Sequence, residues 1–346
     1  MKAEYYDWTK TLSFDAPITM VITSRGKGKT YGIRRQFVND WLKHNYRFVE
    51  IARQKNELSP LMDNYFERLG KEFPSYVFKC EQYRAYMAAR PQGKKKPEWK
   101  LIGYFIAMSQ FQLIKKKTYN RVKRILVDEA VMDKNDKFHH YMKNEWEVLT
   151  SIVDSVSRER ADSEIKPRVY LLGNACDILN PYFAQAGISG DPDVGYTWHM
   201  RKNFLLHYED DETYANEKRQ TLAGIMGDNA GDSVSIDNRF DDKASGLIAK
   251  KSSEAQHLYT FLYEGKTISV WCDLTDGWYY ITSKAPKDGR NTFALTLEDH
   301  PNHIILQRTS PLIKTLFEAY RLRCVKFDSI RMHGDFLDML RYMGYR

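Results

Sequence analysis

A chain of 346 residues with 42% apolar and 28% charged side chains is too long for one small domain and can bury a real core, which excludes wholesale disorder. Its 11 prolines and 19 glycines exclude a collagen-like or linker-dominated chain, and its 4 cysteines, far apart and without a CxxC pair, argue against a zinc site or a disulfide framework. The net charge of +8 is uneven: residues 1–207 carry +11, residues 208–245 carry −6 and residues 246–346 carry +3, so a basic body invites a polyanionic partner such as nucleic acid.

The apolar runs at 18–22 and 102–108 are far short of a membrane span, and the first residues lack the apolar core of a signal peptide, so a cytosolic protein without a membrane segment is expected. In chain order, 17–22 reads as a buried strand and 29–44 as a helix. Next come a strand at 47–51, a helix at 57–72, and strands at 76–79 and 101–106 that flank a basic loop as a hairpin. A buried strand at 124–127, an amphipathic helix at 138–156 and a strand at 168–172 complete the pattern. Alternating strands and helices predict an α/β fold, a parallel sheet covered by helices.

The acidic, turn-rich stretch from Glu209-Asp210-Asp211-Glu212 to Gly231-Asp232 marks a linker or lid subdomain at 208–245, between a body at 1–207 and a C-terminal domain at 246–346. In the last domain, strands at 257–263, 266–272 and 278–281 are joined by turns short enough for an antiparallel meander. A fourth strand at 292–297 and helices at 310–320 and 334–342 make it a small α+β unit.

Chemistry concentrates in Thr23-Ser24-Arg25-Gly26-Lys27-Gly28-Lys29-Thr30, after a strand and at the start of a helix. Glycines let backbone N–H groups turn around phosphate oxygens, and the helix N-terminus adds partial positive charge. Lys29 is expected on the β- and γ-phosphates of ATP and Thr30 on Mg²⁺, with Arg25 and Lys27 as further cations. Thr23 stands where the GxxxxGK[ST] pattern has its first glycine. Asp128, ending the strand Arg124-Ile125-Leu126-Val127, is the expected second Mg²⁺ ligand, and Glu129 the base that activates water. Asn174, after Leu172-Gly173, ends the neighbouring strand and can sense the γ-phosphate.

Ser157-Arg158-Glu159-Arg160 ends the long helix, where an arginine can project to a neighbouring subunit, and Arg53 and Lys55 are similar edge cations. Two basic clusters, Lys94-Lys95-Lys96 and Lys115-Lys116-Lys117, have aromatic neighbours and are shaped to touch a DNA backbone or simply to be solvated.

With these residues in place, the chain resembles the phi29-like family of genome-packaging motor ATPases, from small short-tailed phages with linear, protein-primed genomes. The likeness lies in Arg25-Gly26-Lys27-Gly28-Lys29-Thr30, Ile125-Leu126-Val127-Asp128-Glu129 and Gly173-Asn174-Ala175 with Asn180-Pro181-Tyr182-Phe183. It continues in Ser235-Ile236-Asp237-Asn238-Arg239-Phe240, Tyr263-Glu264-Gly265-Lys266-Thr267 and Val270-Trp271-Cys272-Asp273. The resemblance implies a P-loop ATPase of the additional-strand, catalytic-glutamate type, assembled as a ring, usually of five. Such a ring docks on the phage portal of a prohead, translocates double-stranded DNA and extends to contact with a prohead RNA. It implies work in the host bacterial cytoplasm and at the portal vertex, not in the mature virion. It also implies a C-terminal nuclease-like fold without catalysis; Asp273 and Asp276 are acids near strand ends without a metal-binding cluster around them. By the same likeness Arg158 matches a trans-acting arginine finger, with Arg160 as the alternative, and Lys55 a second trans-acting cation. Two other readings are a nucleotide-dependent DNA-binding scaffold without motor activity and a terminase-like enzyme that also cuts DNA.

Overall fold

The structure, a computed structural model, describes residues 5–93, 95–132, 141–157, 165–178, 180–188, 192–210, 212–222, 247–275, 277–287 and 289–345. The chain forms two compact units: Met1–Cys176 with Pro192–Phe240, and Asp177–Asp191 with Asp241–Arg346. Relative to the expected boundaries, the second unit also takes residues 177–191 from late in the body. The described start of the acidic stretch, the helix Glu212–Arg219, goes with the first unit.

The first unit is built on a nine-stranded sheet. Its strands are β1 (Ile18–Ile22), β2 (Arg47–Ala52), β3 (Tyr76–Glu81), β4 (Arg84–Ala89), β5 (Lys100–Ala107), β6 (Val122–Val127), β7 (Arg168–Gly173), β8 (Gly195–His199) and β9 (Phe204–Tyr208). The order is β3-β4-β5-β2-β6-β7-β1-β9-β8. The six strands from β5 to β9 in that order run parallel, and β3, β4 and β8 pair antiparallel at the edges. Met20, Val21 and Ile22 are completely buried, as expected for a strand covered on both faces. Each such side chain contributes about 1.5–3 kcal/mol on burial. β7 lies between β1 and β6, with Val21 opposite Leu172 and Leu126 opposite Tyr170. That inserted strand is the additional strand the family resemblance implies.

The structure corrects several local expectations. β3 pairs with β4 rather than with β5, through the turn residues Gln82 and Tyr83, both at positive φ (51° and 60°). The basic loop therefore joins β4 to β5. Ala85, Ala88 and Ala89 hide β4 from a reading based on β-propensity. The helix expected at 57–72 breaks into Lys55–Glu57, Leu58–Asp63 and Leu69–Glu72. Between them Tyr65 turns inward, stacks on Phe48 and donates to Glu50 Oε2 at 2.6 Å. The long amphipathic helix is Glu145–Val156, and residues 133–140 lie outside the described set. The helix Trp8–Ser13 and strands β8 and β9 were not anticipated.

The second unit holds a six-stranded sheet: β10 (Gln256–Tyr263), β11 (Lys266–Asp273), β12 (Trp278–Thr282), β13 (Thr292–Ala294), β14 (Ile304–Ile305) and β15 (Val325–Phe327). The expected antiparallel meander is β10-β11-β12. The sheet as a whole is mixed, because β13 joins β10, β14 joins β13 and β15 joins β12 in parallel. The helices Pro311–Arg321 and Ile330–Tyr342 bury Ile313, Leu316, Phe336 and Met339 with Ile268, Val270 and Ile281. The short helix Pro181–Ala186 packs on Ile330–Tyr342; Asn180 caps it by accepting from Phe183 N at 2.9 Å. No helix among the described residues is long and apolar enough to cross a membrane.

Candidate active site

The loop Thr23–Thr30 leaves the carboxyl end of β1 and enters the helix Lys29–His44. Gly26 and Gly28 take φ of 96° and 77°, conformations that side chains resist, and Gly28 caps the helix. Thr23 shows no positive φ, so a glycine is not needed there; it is buried and donates its N–H to Gly173 O at 3.3 Å. Ser24 Oγ is buried with no hydrogen-bond partner among the described residues, an orphan polar atom in a loop shaped for phosphate. The N-terminal segment braces the loop: Tyr6 N donates to Lys27 O and Trp8 Nε1 to Lys29 O, both at 2.9 Å.

Lys29 is 8% exposed. Its Nζ donates to Asn174 Oδ1 at 2.6 Å and to Thr23 O at 3.4 Å. Burial holds its pKa down to about 8, and Asp128 opposes that shift. Lys27 departs from expectation: its ammonium turns to Glu209 Oε1 at 3.5 Å and to the Tyr214 ring at 5.5 Å.

Asp128 and Glu129 follow β6. Glu129 N donates to Asp128 Oδ1 at 3.0 Å, and Glu129 is exposed, at a φ of 52°. A non-glycine there costs about 1 kcal/mol, and Arg53 offsets it. Arg53 Nη1 donates to Glu129 O at 2.8 Å and Nη2 to Ala130 O at 2.7 Å. Nε of the same residue donates to the buried Glu145 at 3.0 Å. Arg53 is thus a buried internal brace, not the edge cation expected from sequence. Arg34 was missed too. It sits four residues after Thr30, pairs with buried Glu50, and places Nη2 4.0 Å from Asp128 Oδ2. Spacing on the helix after the loop could have flagged it, but its partner Glu50 is 16 residues away in β2.

Arg25, Glu50, Arg53, Asp128, Glu129, Asn174 and Cys176 line one cleft of about 520 Å³ at the carboxyl ends of β1, β2, β6 and β7. Parallel α/β sheets bind ligands at that edge. Just before Asn174, a Cβ at Gly173 would press on Val131 (2.8 Å) and Ile22 (3.0 Å), so the tight strand end favours glycine. Lys55 is exposed on the turn after β2. Lys95 and Lys96 are exposed in the β4–β5 loop and line a separate cleft with Trp41, Leu42 and Asn45. Those three residues mark the far end of the 16-residue helix that begins at Lys29, roughly 24 Å along its axis. Lys116 and Lys117 are exposed and Lys115 lies over the Phe111 ring. Arg158, Arg160, Lys94, Asp276 and residues 235–240 lie outside the described residues.

Residues 1–343 match the family model described as podovirus DNA encapsidation protein (Gp16). The DNA packaging protein of Bacillus phage phi29 is 28% identical over 347 residues, covering 99% of this chain and 98% of that one. A chain of the bacteriophage phi29 viral genome packaging motor assembly matches with a TM-score of 0.71 at 25% identity, over 99% of this chain and 100% of that chain. The N-terminal domain of the DNA packaging ATPase from bacteriophage phi29 matches with a TM-score of 0.50 at 28% identity, over 60% of this chain and 96% of that chain.

Proposed function

The chain belongs to the podovirus DNA encapsidation protein family, and on that premise we propose that it is an ATP-hydrolysing motor subunit that drives double-stranded viral DNA into a preformed prohead. The observation that carries the reading is the convergence of Asp128, Glu129 and Asn174 on one cleft, with Lys29 bonded to Asn174 at its edge.

In this reading the loop amides and Lys29 hold the β- and γ-phosphates. The Thr30 hydroxyl and the Asp128 carboxylate are hard oxygen donors and suit Mg²⁺, which would neutralise charge on the phosphates. Arg34, anchored by Glu50, keeps Asp128 oriented. Glu129 accepts the proton of the attacking water, and Asn174 exchanges Lys29 for the γ-phosphate when nucleotide enters. Arg158 and Lys55 act in trans on the neighbouring subunit's nucleotide, in a ring of five docked at the portal and touching a prohead RNA. The place of work is the host bacterial cytoplasm and the portal vertex, not the mature virion. Lys94–Lys96 and Lys115–Lys117 meet the DNA backbone. The C-terminal unit binds nucleic acid without cutting it; Asp273 there has a structural task, capping a turn by accepting from Thr275 N at 2.8 Å. Steady-state ATP turnover with and without duplex DNA tests the proposal. Turnover abolished by Lys29→Ala in a folded protein supports it, and turnover unchanged by that substitution refutes it.

A further inference from the structure

The helix Glu212–Arg219 lies outside the phosphate loop in sequence, yet it packs one face on it. Tyr214 and Lys218 are one turn apart, with buried Ala215 beside them, while Thr213, Asn216, Glu217 and Arg219 are exposed. Tyr214 Oη donates to Arg25 O at 2.9 Å, and its ring stands 5.5 Å from the Lys27 ammonium. A Cβ at Gly26 would collide with that hydroxyl, so the glycine makes room for this helix as well as for phosphate.

Lys218, on the same face, is half-buried, with Arg25 and Cys176 as its charged and thiol neighbours. Burial, and then the like charge of Arg25, hold its ammonium below the ordinary lysine range. Arg25 and Cys176 both line the cleft that holds Asp128, Glu129 and Asn174. Lys218 follows one helical turn after Tyr214, whose hydroxyl is bonded to the Arg25 carbonyl, so the helix holds its ammonium next to the loop. Bringing two cations together at partial burial costs free energy, and an anion between them offsets it.

We propose that Lys218 contacts the terminal phosphate of a nucleoside triphosphate in cis, and that Tyr214 is a positioning residue that holds its helix on the loop. The proposal rests on the nucleotide-site reading above. It makes seating of this helix depend on which nucleotide is bound, because a diphosphate lacks the group that Lys218 reaches.

The experiment measures binding of a fluorescent non-hydrolysable ATP analogue and of fluorescent ADP to the full chain, with folding of each variant checked by circular dichroism. Lys218→Ala is expected to weaken the triphosphate by about tenfold or more, the scale of a charge-assisted hydrogen bond. ADP is expected to change less than about twofold, and Lys218→Arg to recover most of the loss. Tyr214→Phe, which keeps the ring and loses the bond to Arg25, is expected to shift the triphosphate in the same direction by less. Triphosphate affinity unchanged in folded Lys218→Ala and Lys218→Gln overturns the proposal, as does an equal loss for both nucleotides. Lys29→Ala separates the two levels. If it abolishes triphosphate binding while Lys218→Ala does not, this proposal fails alone; if it leaves binding intact, the nucleotide-site reading fails with it.

Discussion

Lys29 Nζ donates a 2.6 Å hydrogen bond to Asn174 Oδ1, tying the loop after β1 to the tip of β7. The amide holds the ammonium where phosphate would otherwise hold it. In the proposed function, nucleotide entry exchanges one acceptor for another, and Asn174 is released as Lys29 is engaged.

That exchange has a pH signature. Burial holds the Lys29 pKa down to about 8. Contact with phosphate favours the charged form, so binding near and above pH 8 must take up a proton. Nucleotide affinity is expected to fall as pH rises through 8 and to be insensitive to this group below about pH 7. Calorimetry at pH 8.5 in buffers of different ionisation enthalpy reads the proton directly. No uptake, or release of a proton, would contradict it.

Glu129→Gln is expected to bind ATP near normally and to hydrolyse it about a hundredfold more slowly or worse, the usual size of a lost general base. Single-turnover kinetics with measured binding separate the two effects. Weak binding with unchanged turnover of bound nucleotide is the contrary outcome.

The Arg53–Glu145 pair is buried and also secures the Glu129 and Ala130 carbonyls. Removing one partner strands a charge, so Arg53→Ala should cost about 3–5 kcal/mol in denaturant unfolding. Replacing both by apolar residues, Arg53→Met with Glu145→Leu, should cost less than either single loss. Additive losses would argue against a coupled pair.

Much of this cleft was legible in the sequence. The loop 23–30, the Asp128-Glu129 step and Gly173-Asn174 each pair a strand end with a functional group, and strand-to-loop order survives folding. Arg53 was not, because its partner Glu145 is 92 residues away and nothing local distinguishes a buried arginine from an exposed one. β4 was missed because alanine packs there on tertiary contacts, and the helix break at Tyr65 answers Glu50 and Phe48 rather than any local stop signal. The mixed sheet of the second unit depends on parallel pairings such as Tyr280 with Lys326, which no turn residue announces.

Arg158 in trans gives a prediction about mixtures. Arg158→Ala and Glu129→Gln chains should each be nearly inactive, since arginine fingers contribute about 10³-fold or more. In verified mixed rings, a subunit with intact Glu129 can receive Arg158 from its neighbour, so activity should return. No recovery would count against the assignment, and full activity of Arg158→Ala alone would shift attention to Arg160 or Lys55.

His333 should make the second unit acid-sensitive. Burial, with Arg341 adding to it, lowers its pKa to about 4, and its Nε2 lies 2.9 Å from Tyr320 Oη. The unfolded chain takes up a proton near pH 6.5 that the folded chain refuses, so stability falls as pH drops from about 6.5 to 4. His333→Gln is expected to flatten that part of the curve in thermal unfolding; an unchanged slope would assign the acid loss elsewhere.

Hydrolysis in this cleft is proposed to move DNA. The most direct test is ATP-driven protection of phage DNA from nuclease inside purified proheads carrying this protein. Wild-type chain should protect full-length DNA only with hydrolysable ATP, and Lys29→Ala and Glu129→Gln chains that still dock on the prohead should protect none. Protection by either variant at the wild-type rate, or by the wild-type chain with a non-hydrolysable analogue, would contradict the account.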